Sequence, residues 1–103
     1  EEAMEMLKTA YAAESEDPYI IDSIGWAYYL IDDYQEAEKY LKRAVEMMPY
    51  DPIVNDHYGD ILWKLNRKIQ ARYFWKNVLE MEDVEEEMIR NINKKLIVGP
   101  KIS

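Results

Sequence analysis

The chain has 103 residues, which suffice for one small domain, and 49% of them are hydrophobic, which suffices for a folded core. A formal net charge of −8 argues against the clustered basic surface that nucleic acids require. The lack of cysteine excludes disulfides and thiolate metal sites but leaves the compartment open. No stretch reaches the roughly 18 apolar residues of a membrane span. The chain opens on Glu1, within a predicted helix, and so reads as a piece of a longer protein whose signals would lie upstream.

The first predicted element is a helix over residues 1–16. Ala3, Leu7 and Ala10 follow one another at intervals of four and three residues, so they share one helical face.

Two helices are predicted within residues 17–50. Asp17 and Pro18 form a helix start signal. The aspartate accepts hydrogen bonds from the free N–H groups of the first turn, and the missing N–H of proline costs nothing at that position. Asp32 tolerates the left-handed backbone of a turn, and Pro49 ends the second helix. The residues at helical spacing are Ile21, Ile24, Gly25 and Tyr28 in the first helix and Ala37, Leu41 and Ala44 in the second.

Residues 51–83 repeat this pattern. Asp51, Pro52, Gly59 and Ala71 each stand 34 residues after Asp17, Pro18, Gly25 and Ala37. Asn66 takes the place of the turn residue. The packing faces consist of Asn55, Tyr58, Gly59 and Leu62, then Ala71, Trp75 and Val78, and Asn55 replaces a large apolar residue. The same offset aligns residues 1–16 with the second half of an earlier unit. The chain therefore holds about two and a half repeats.

The segment after residue 83 is predicted to leave this period and to form a capping helix over residues 84–98. Asp83 and Glu86 have the spacing of a capping box, and Gly99 with Pro100 is a stop signal. The apolar stripe consists of Val84, Met88, Ile92 and Leu96, opposite a polar face of acidic residues, Arg90 and Lys94. Residues 99–103 are predicted to be a tail.

The repeat resembles the tetratricopeptide repeat (TPR), a helix-turn-helix of 34 residues with the pattern W-x₂-L-G-x₂-Y, then A-x₃-F, then P. The chain reads Ile21-x₂-Ile24-Gly25-x₂-Tyr28, Ala37-x₃-Leu41 and Pro49, and then Asn55-x₂-Tyr58-Gly59-x₂-Leu62 and Ala71-x₃-Trp75. The resemblance implies an all-α fold, a right-handed α-solenoid of antiparallel helix pairs closed by the capping helix. The sequence of the last repeat is similar to C-terminal repeats of large bacterial TPR proteins. This resemblance is compatible with a location in a bacterial cytoplasm or cell envelope.

By this resemblance, the first helix of each repeat lines a groove that captures a partner segment. The groove positions are Tyr19, Asp22, Trp26 and Tyr29, then Ile53, Asp56, Asp60 and Trp63. These positions lie on a different helical face from the packing residues. The alternative, that the aromatic residues pack only on neighbouring repeats, stays open.

His57 is the only histidine and lies one helical turn before Asp60. The two could share a proton or contribute to a metal site, but zinc needs three or four ligands and catalysis needs a fuller set of groups. The favoured interpretation is an exposed or partly packed histidine beside solvated acids. The sequence thus predicts no catalytic residues, no metal site and no cofactor.

Two functions remain. The first is a noncatalytic protein-interaction scaffold whose groove binds a peptide or protein segment, preferably basic and hydrophobic. The second is a structural C-terminal cap or self-association module of a longer solenoid. Because the helix over residues 1–16 lacks its own first helix, the isolated chain is expected to self-associate or fray there.

Overall fold

A computed structural model describes residues 17–100 of the chain. This part contains α-helices and no strand, which confirms the all-α prediction. The helices are α1 (Pro18–Leu30), α2 (Tyr34–Met47), α3 (Pro52–Lys64), α4 (Lys68–Leu79) and α5 (Glu86–Val98). No helix in this range is long and apolar enough to cross a membrane. The predicted helix over residues 1–16 and the end of the predicted tail, residues 101–103, lie outside the described residues.

Both predicted Asp-Pro starts are confirmed. The Asp17 carboxylate accepts a hydrogen bond from the backbone N–H of Tyr19 at 2.9 Å, and the Asp51 carboxylate accepts one from Val54 at 3.0 Å. In both helices the proline occupies the first turn. These caps satisfy N–H groups that have no partner inside the helix, so α1 and α3 begin at equivalent residues.

The turns inside the two repeats are also equivalent. Asp32 and Asn66 each have a φ of 64°, as their sequence positions predict. After α1, the N–H of Asp32 donates to the carbonyl of Tyr29, and the N–H of Asp33 donates to that of Tyr28. This paired pattern is a Schellman motif, and the chain repeats it after α3. Each repeat therefore folds back on itself as a helix pair with the same geometry.

The predicted packing faces are buried. Leu41 and Trp75, on the second helices, are fully buried, and they face Gly25 and Gly59 across the helix crossing. Asn55 is 1% exposed although it stands where the family prefers a large apolar residue. Its side-chain amide donates to the carbonyls of Pro49 and Asp51 at 3.0 and 2.8 Å, which ties the loop between the repeats to α3.

The last helix corrects the sequence prediction. It begins at Glu86 rather than at residue 84, and Asp83 adopts a positive φ of 60° instead of capping it. Helices α1, α3 and α5 each have 13 residues and begin at residues 18, 52 and 86, so the 34-residue spacing continues. The predicted apolar stripe is confirmed, since Ile92 is fully buried and Val84, Met88 and Leu96 pack partly buried against the core.

Candidate functional site

The structure separates the eight predicted groove residues, hereafter the groove face, by their exposure. Tyr19 and Ile53 are 58% and 53% exposed. Asp22 and Asp60 are buried, with 8% and 5% of their surface exposed. The members of intermediate exposure are Trp26, Tyr29, Asp56 and Trp63. The interpretation of His57 as lying beside solvated acids is therefore wrong for Asp60, and the groove face combines accessible side chains with side chains that belong to the fold.

A first cluster joins α1 to α3. The Nδ1 atom of His57 lies 3.1 Å from both carboxylate oxygens of Asp22. The His57 ring stacks on Trp26 with a centroid distance of 4.1 Å, and Trp26 stacks on Tyr29 at 4.4 Å. The carboxylate in contact with His57 is thus that of Asp22 in the preceding repeat, not that of Asp60 in its own helix. This arrangement connects the two repeats through one carboxylate and three rings.

A second cluster joins α3 to α5. The ammonium group of Lys95 lies 2.7 Å from Asp56 Oδ1 and 3.2 Å from Asp60 Oδ2, and it donates a hydrogen bond to each. Asp60 Oδ1 is 3.0 Å from the same nitrogen, but it accepts no hydrogen bond within the described part of the chain, so this contact is ionic only. Burial lowers the pKa of Lys95, but Asp60 and Asp56 outweigh this effect and hold it above its usual value.

Sequence reasoning did not identify Lys95 as part of this face. The repeat spacing relates Lys95 to His57. Asp22 pairs with His57 and Asp60 pairs with Lys95, and the residues of both pairs are 35 positions apart, one more than the repeat length. Neighbouring first helices therefore contact each other with the same offset at both junctions. The tail was instead predicted to leave the repeat period, and this hid the equivalence.

The buried Asp60 carboxylate binds its proton more tightly than an exposed aspartate does. Burial, reinforced by the charge of Asp56 and opposed by Lys95, raises the pKa of Asp60 to about 6. The pKa of Tyr29 is also raised, first by its burial and then by the nearby Asp60 charge. Both shifts arise because charge is unfavourable in this partly dehydrated space. The carboxyl group of Asp60 therefore changes charge in a mildly acidic range.

This shift predicts a pH dependence of stability. Because the folded state binds the Asp60 proton more tightly than the unfolded chain, the stabilisation is present at pH 4 and is lost as the pH rises through about 6. Asp60→Asn removes that titration, so its unfolding free energy should rise relative to wild type between pH 4 and pH 7, by on the order of 2 kcal/mol. Urea unfolding at both pH values measures the difference. The exposed Glu82→Gln is the control, and a difference for Asp60→Asn that does not change with pH would contradict the assignment.

No three histidine, cysteine, aspartate or glutamate side chains of residues 17–100 come together as a set that could hold a metal ion. Within each cluster, the charged groups instead contact a group on the neighbouring first helix. Their arrangement joins successive first helices and leaves Tyr19 and Ile53 open on the same face.

Comparison with known proteins agrees with the repeat architecture. Residues 18–51 match the family model of the tetratricopeptide repeat. A TPR repeat-containing protein of Pseudomonas aeruginosa is 37% identical over 59 residues, or 57% of this chain and 10% of that protein. Protein bimA of Emericella nidulans is 27% identical over 86 residues, or 84% of this chain and 11% of that protein.

Residues 18–51 therefore form a tetratricopeptide repeat, and the chain is similar to proteins that contain this repeat. Repeats of this family generally mediate protein–protein interactions. The chain spans only about a tenth of the length of the curated relatives it matches, 11% and 10%.

Proposed function

We propose that this chain is a noncatalytic protein-interaction module that binds a peptide or protein segment on its groove face. The observation that carries the proposal is the half-buried Trp26 ring, which α1 and α3 share through its stacking on Tyr29 and His57. The exposed Tyr19 and Ile53 occupy equivalent positions in successive repeats of the same face. An apolar surface that crosses a repeat boundary in this way is suited to a segment that spans both repeats.

The charges of the groove face favour a basic, hydrophobic segment. Three carboxylates, those of Asp22, Asp56 and Asp60, share one lysine and one histidine, so the face stays anionic when the imidazole is neutral. A lysine or arginine of the partner gains from this potential and from the neighbouring aromatic rings. Because Asp22 and Asp60 are buried and already paired, their contribution is long-range attraction rather than direct contact.

The noncatalytic part of the proposal rests on the contacts that His57 and Asp60 make with neighbouring helices. His57 is held by the Asp22 carboxylate through Nδ1 and by ring stacking on Trp26. The Asp60 carboxylate is held by Lys95. Groups that join helices in this way act as structural contacts, whereas general acid–base catalysis needs a group positioned against a reacting atom.

The test begins with a phage-displayed library of random peptides, selected on the chain, followed by calorimetry with the best synthetic peptide. The double variant Tyr19→Ala/Ile53→Ala should bind this peptide at least about tenfold more weakly, because truncating contact side chains at an interface commonly costs this much. The matched control is Tyr73→Ala/Ile69→Ala on α4, which removes the same two residue types where they are 61% and 87% exposed. We expect the control to bind like wild type.

Two results would overturn the proposal. One is a library that yields no specific peptide, and the other is equal loss of affinity in the two double variants. Circular dichroism must show that both variants keep the wild-type helix content. The substituted side chains are exposed, and the Tyr19 hydroxyl makes only an exposed hydrogen bond of 3.3 Å to Asp51, so their removal should cost little stability.

A second candidate function is a structural end module, and the packing of α5 favours it. Ile92 is fully buried, and Lys95 joins α5 to the carboxylates of α3. An element that seals the last apolar surface of an array in this manner stabilises the repeats before it. Sedimentation equilibrium separates the candidates, because self-association without peptide binding supports this role, and peptide binding by a monomer supports the first.

A further inference from the structure

An open cleft of about 700 Å³ lies between α3 and α5. Asp56 lines it on the α3 side, and the opposite wall runs from Glu85 and Glu87 at the start of α5, past Met88, to Lys94 and Val98 at its end. Of these residues, only Asp56 belongs to the predicted groove positions. The cleft therefore continues the groove face onto α5, which the sequence analysis predicted to be a capping helix.

The two ends of this wall have opposite charges. Glu85 and Glu87 are exposed at the first end and Lys94 is exposed at the other. Lys95 is already held by Asp56 and Asp60, whereas among residues 17–100 the structure shows no ion pair for the other three. Apolar surface lies at two points of the wall: the half-buried Met88 beside Glu87, and Val98, which is 74% exposed, one turn beyond Lys94.

The spacing of the charges indicates what fits between them. Glu87 and Lys94 are seven residues apart on one helix, which places them on the same face and about 10 Å apart along its axis. A second helix that lies antiparallel to α5 presents complementary charges at the same interval when an acidic residue in its first turn precedes a basic residue by seven positions. That order of charges also suits the dipole of the partner helix, because acids stabilise N-termini and bases stabilise C-termini.

We propose that this cleft binds an amphipathic helical segment of a partner protein, antiparallel to α5. Its acidic residue contacts Lys94, its basic residue contacts Glu87, and apolar residues adjacent to these two charges cover Val98 and Met88. This inference rests on the proposed function, because it places the partner against the face of the first helices. It adds the conformation, direction and charge order of the segment that is bound.

The experiment uses two N-acetylated peptides of about fourteen residues that differ at one position. The first carries glutamate and, seven residues later, lysine, with leucines adjacent to each of them. The second carries lysine at both positions. Fluorescence anisotropy at low salt gives the affinities for wild type and for Lys94→Glu. We expect the glutamate peptide to lose about fivefold in affinity on this substitution and the all-lysine peptide to gain about fivefold, since an exposed pair changes from attraction to repulsion or the reverse.

Lys76 is an exposed lysine on α4, and Lys76→Glu is the control for the change in net charge. It should shift both peptides alike, and the opposite shifts with Lys94→Glu should disappear at high salt. A third peptide with a central proline cannot form the helix and should bind at least about tenfold more weakly.

The cleft proposal is overturned if Lys94→Glu affects both peptides equally, if the proline peptide binds as well as the helical one, or if no designed peptide binds. These results leave the proposed function in place as long as peptides selected from the library still depend on Tyr19 and Ile53. Failure of the library experiment, in contrast, removes the broader proposal.

Discussion

Replacing Lys95 with methionine should lower the unfolding free energy at pH 7 by about 2–3 kcal/mol. Lys95 lies 2.7 Å from Asp56 and 3.0 Å from Asp60, and all three side chains are at least four-fifths buried, with exposures of 16%, 15% and 7%. Without the ammonium group, two buried carboxylates face each other with no cation between them. Urea unfolding followed by circular dichroism measures the loss, which should shrink towards pH 4 as Asp60 takes up a proton.

Lys94→Met is the matched control for this prediction. It makes the same chemical change one residue earlier on α5, where the side chain is exposed, so its effect on stability should stay within about 0.5 kcal/mol. The double variant Lys95→Met/Asp60→Asn should recover at least half of the loss, because the amide removes one of the two unpaired charges. Equal effects of the two lysine substitutions would show that Lys95 does not hold α5 against α3.

Replacing Gly59 with alanine should destabilise the fold by about 3 kcal/mol, although alanine is the better helix former at exposed positions. A Cβ atom at residue 59 would overlap Nε1 of Trp75 and lie 2.5 Å from its Cδ1. The Trp75 ring is fully buried and rigid, and its N–H donates to the carbonyl of Asp56 at 3.4 Å. The ring can therefore yield only if α3 and α4 move apart. Urea unfolding measures the loss.

Gly25→Ala provides the comparison in the first repeat. The new Cβ would lie 2.7 Å from Cγ and 3.1 Å from the backbone nitrogen of the buried Leu41. This overlap is smaller than that with Trp75, so we expect a smaller loss, about 2 kcal/mol. Adding Trp75→Leu to Gly59→Ala should cost less than the sum of the two single changes, because the smaller side chain relieves the overlap. A Gly59→Ala variant as stable as wild type would mean that the helices do not approach so closely.

Much of the fold could be predicted because its causes lie within a few neighbouring residues. The Asp17 cap, the left-handed Asp32 and the buried stripe through Ile24 depend on local hydrogen bonds and helical spacing. The same signals recur 34 residues later and give the same structures. The start of α5 was predicted wrongly because its spacing is kept while the local signals change: Glu86 stands where Pro18 and Pro52 begin the earlier helices.

The groove face shows the limit of such reasoning. Its positions were taken from the family resemblance and remain a prediction as a binding site. Which of them are accessible depends on how neighbouring helices are placed, since Tyr19 stays exposed while Asp22, one turn later, is buried against His57. The helical spacing of α1 gives the direction of each side chain but not the identity of what lies opposite.

The sequence by itself determined the repeat length, the capped starts of α1 and α3 and the turns after them, because the same local signals recur 34 residues apart. Only the tertiary structure decided that Asp22 pairs with His57 and that Asp60 pairs with Lys95. These pairs depend on the rotation and offset between successive first helices, which the packing of every intervening side chain sets together. For the same reason, only the structure revealed the cleft between α3 and α5.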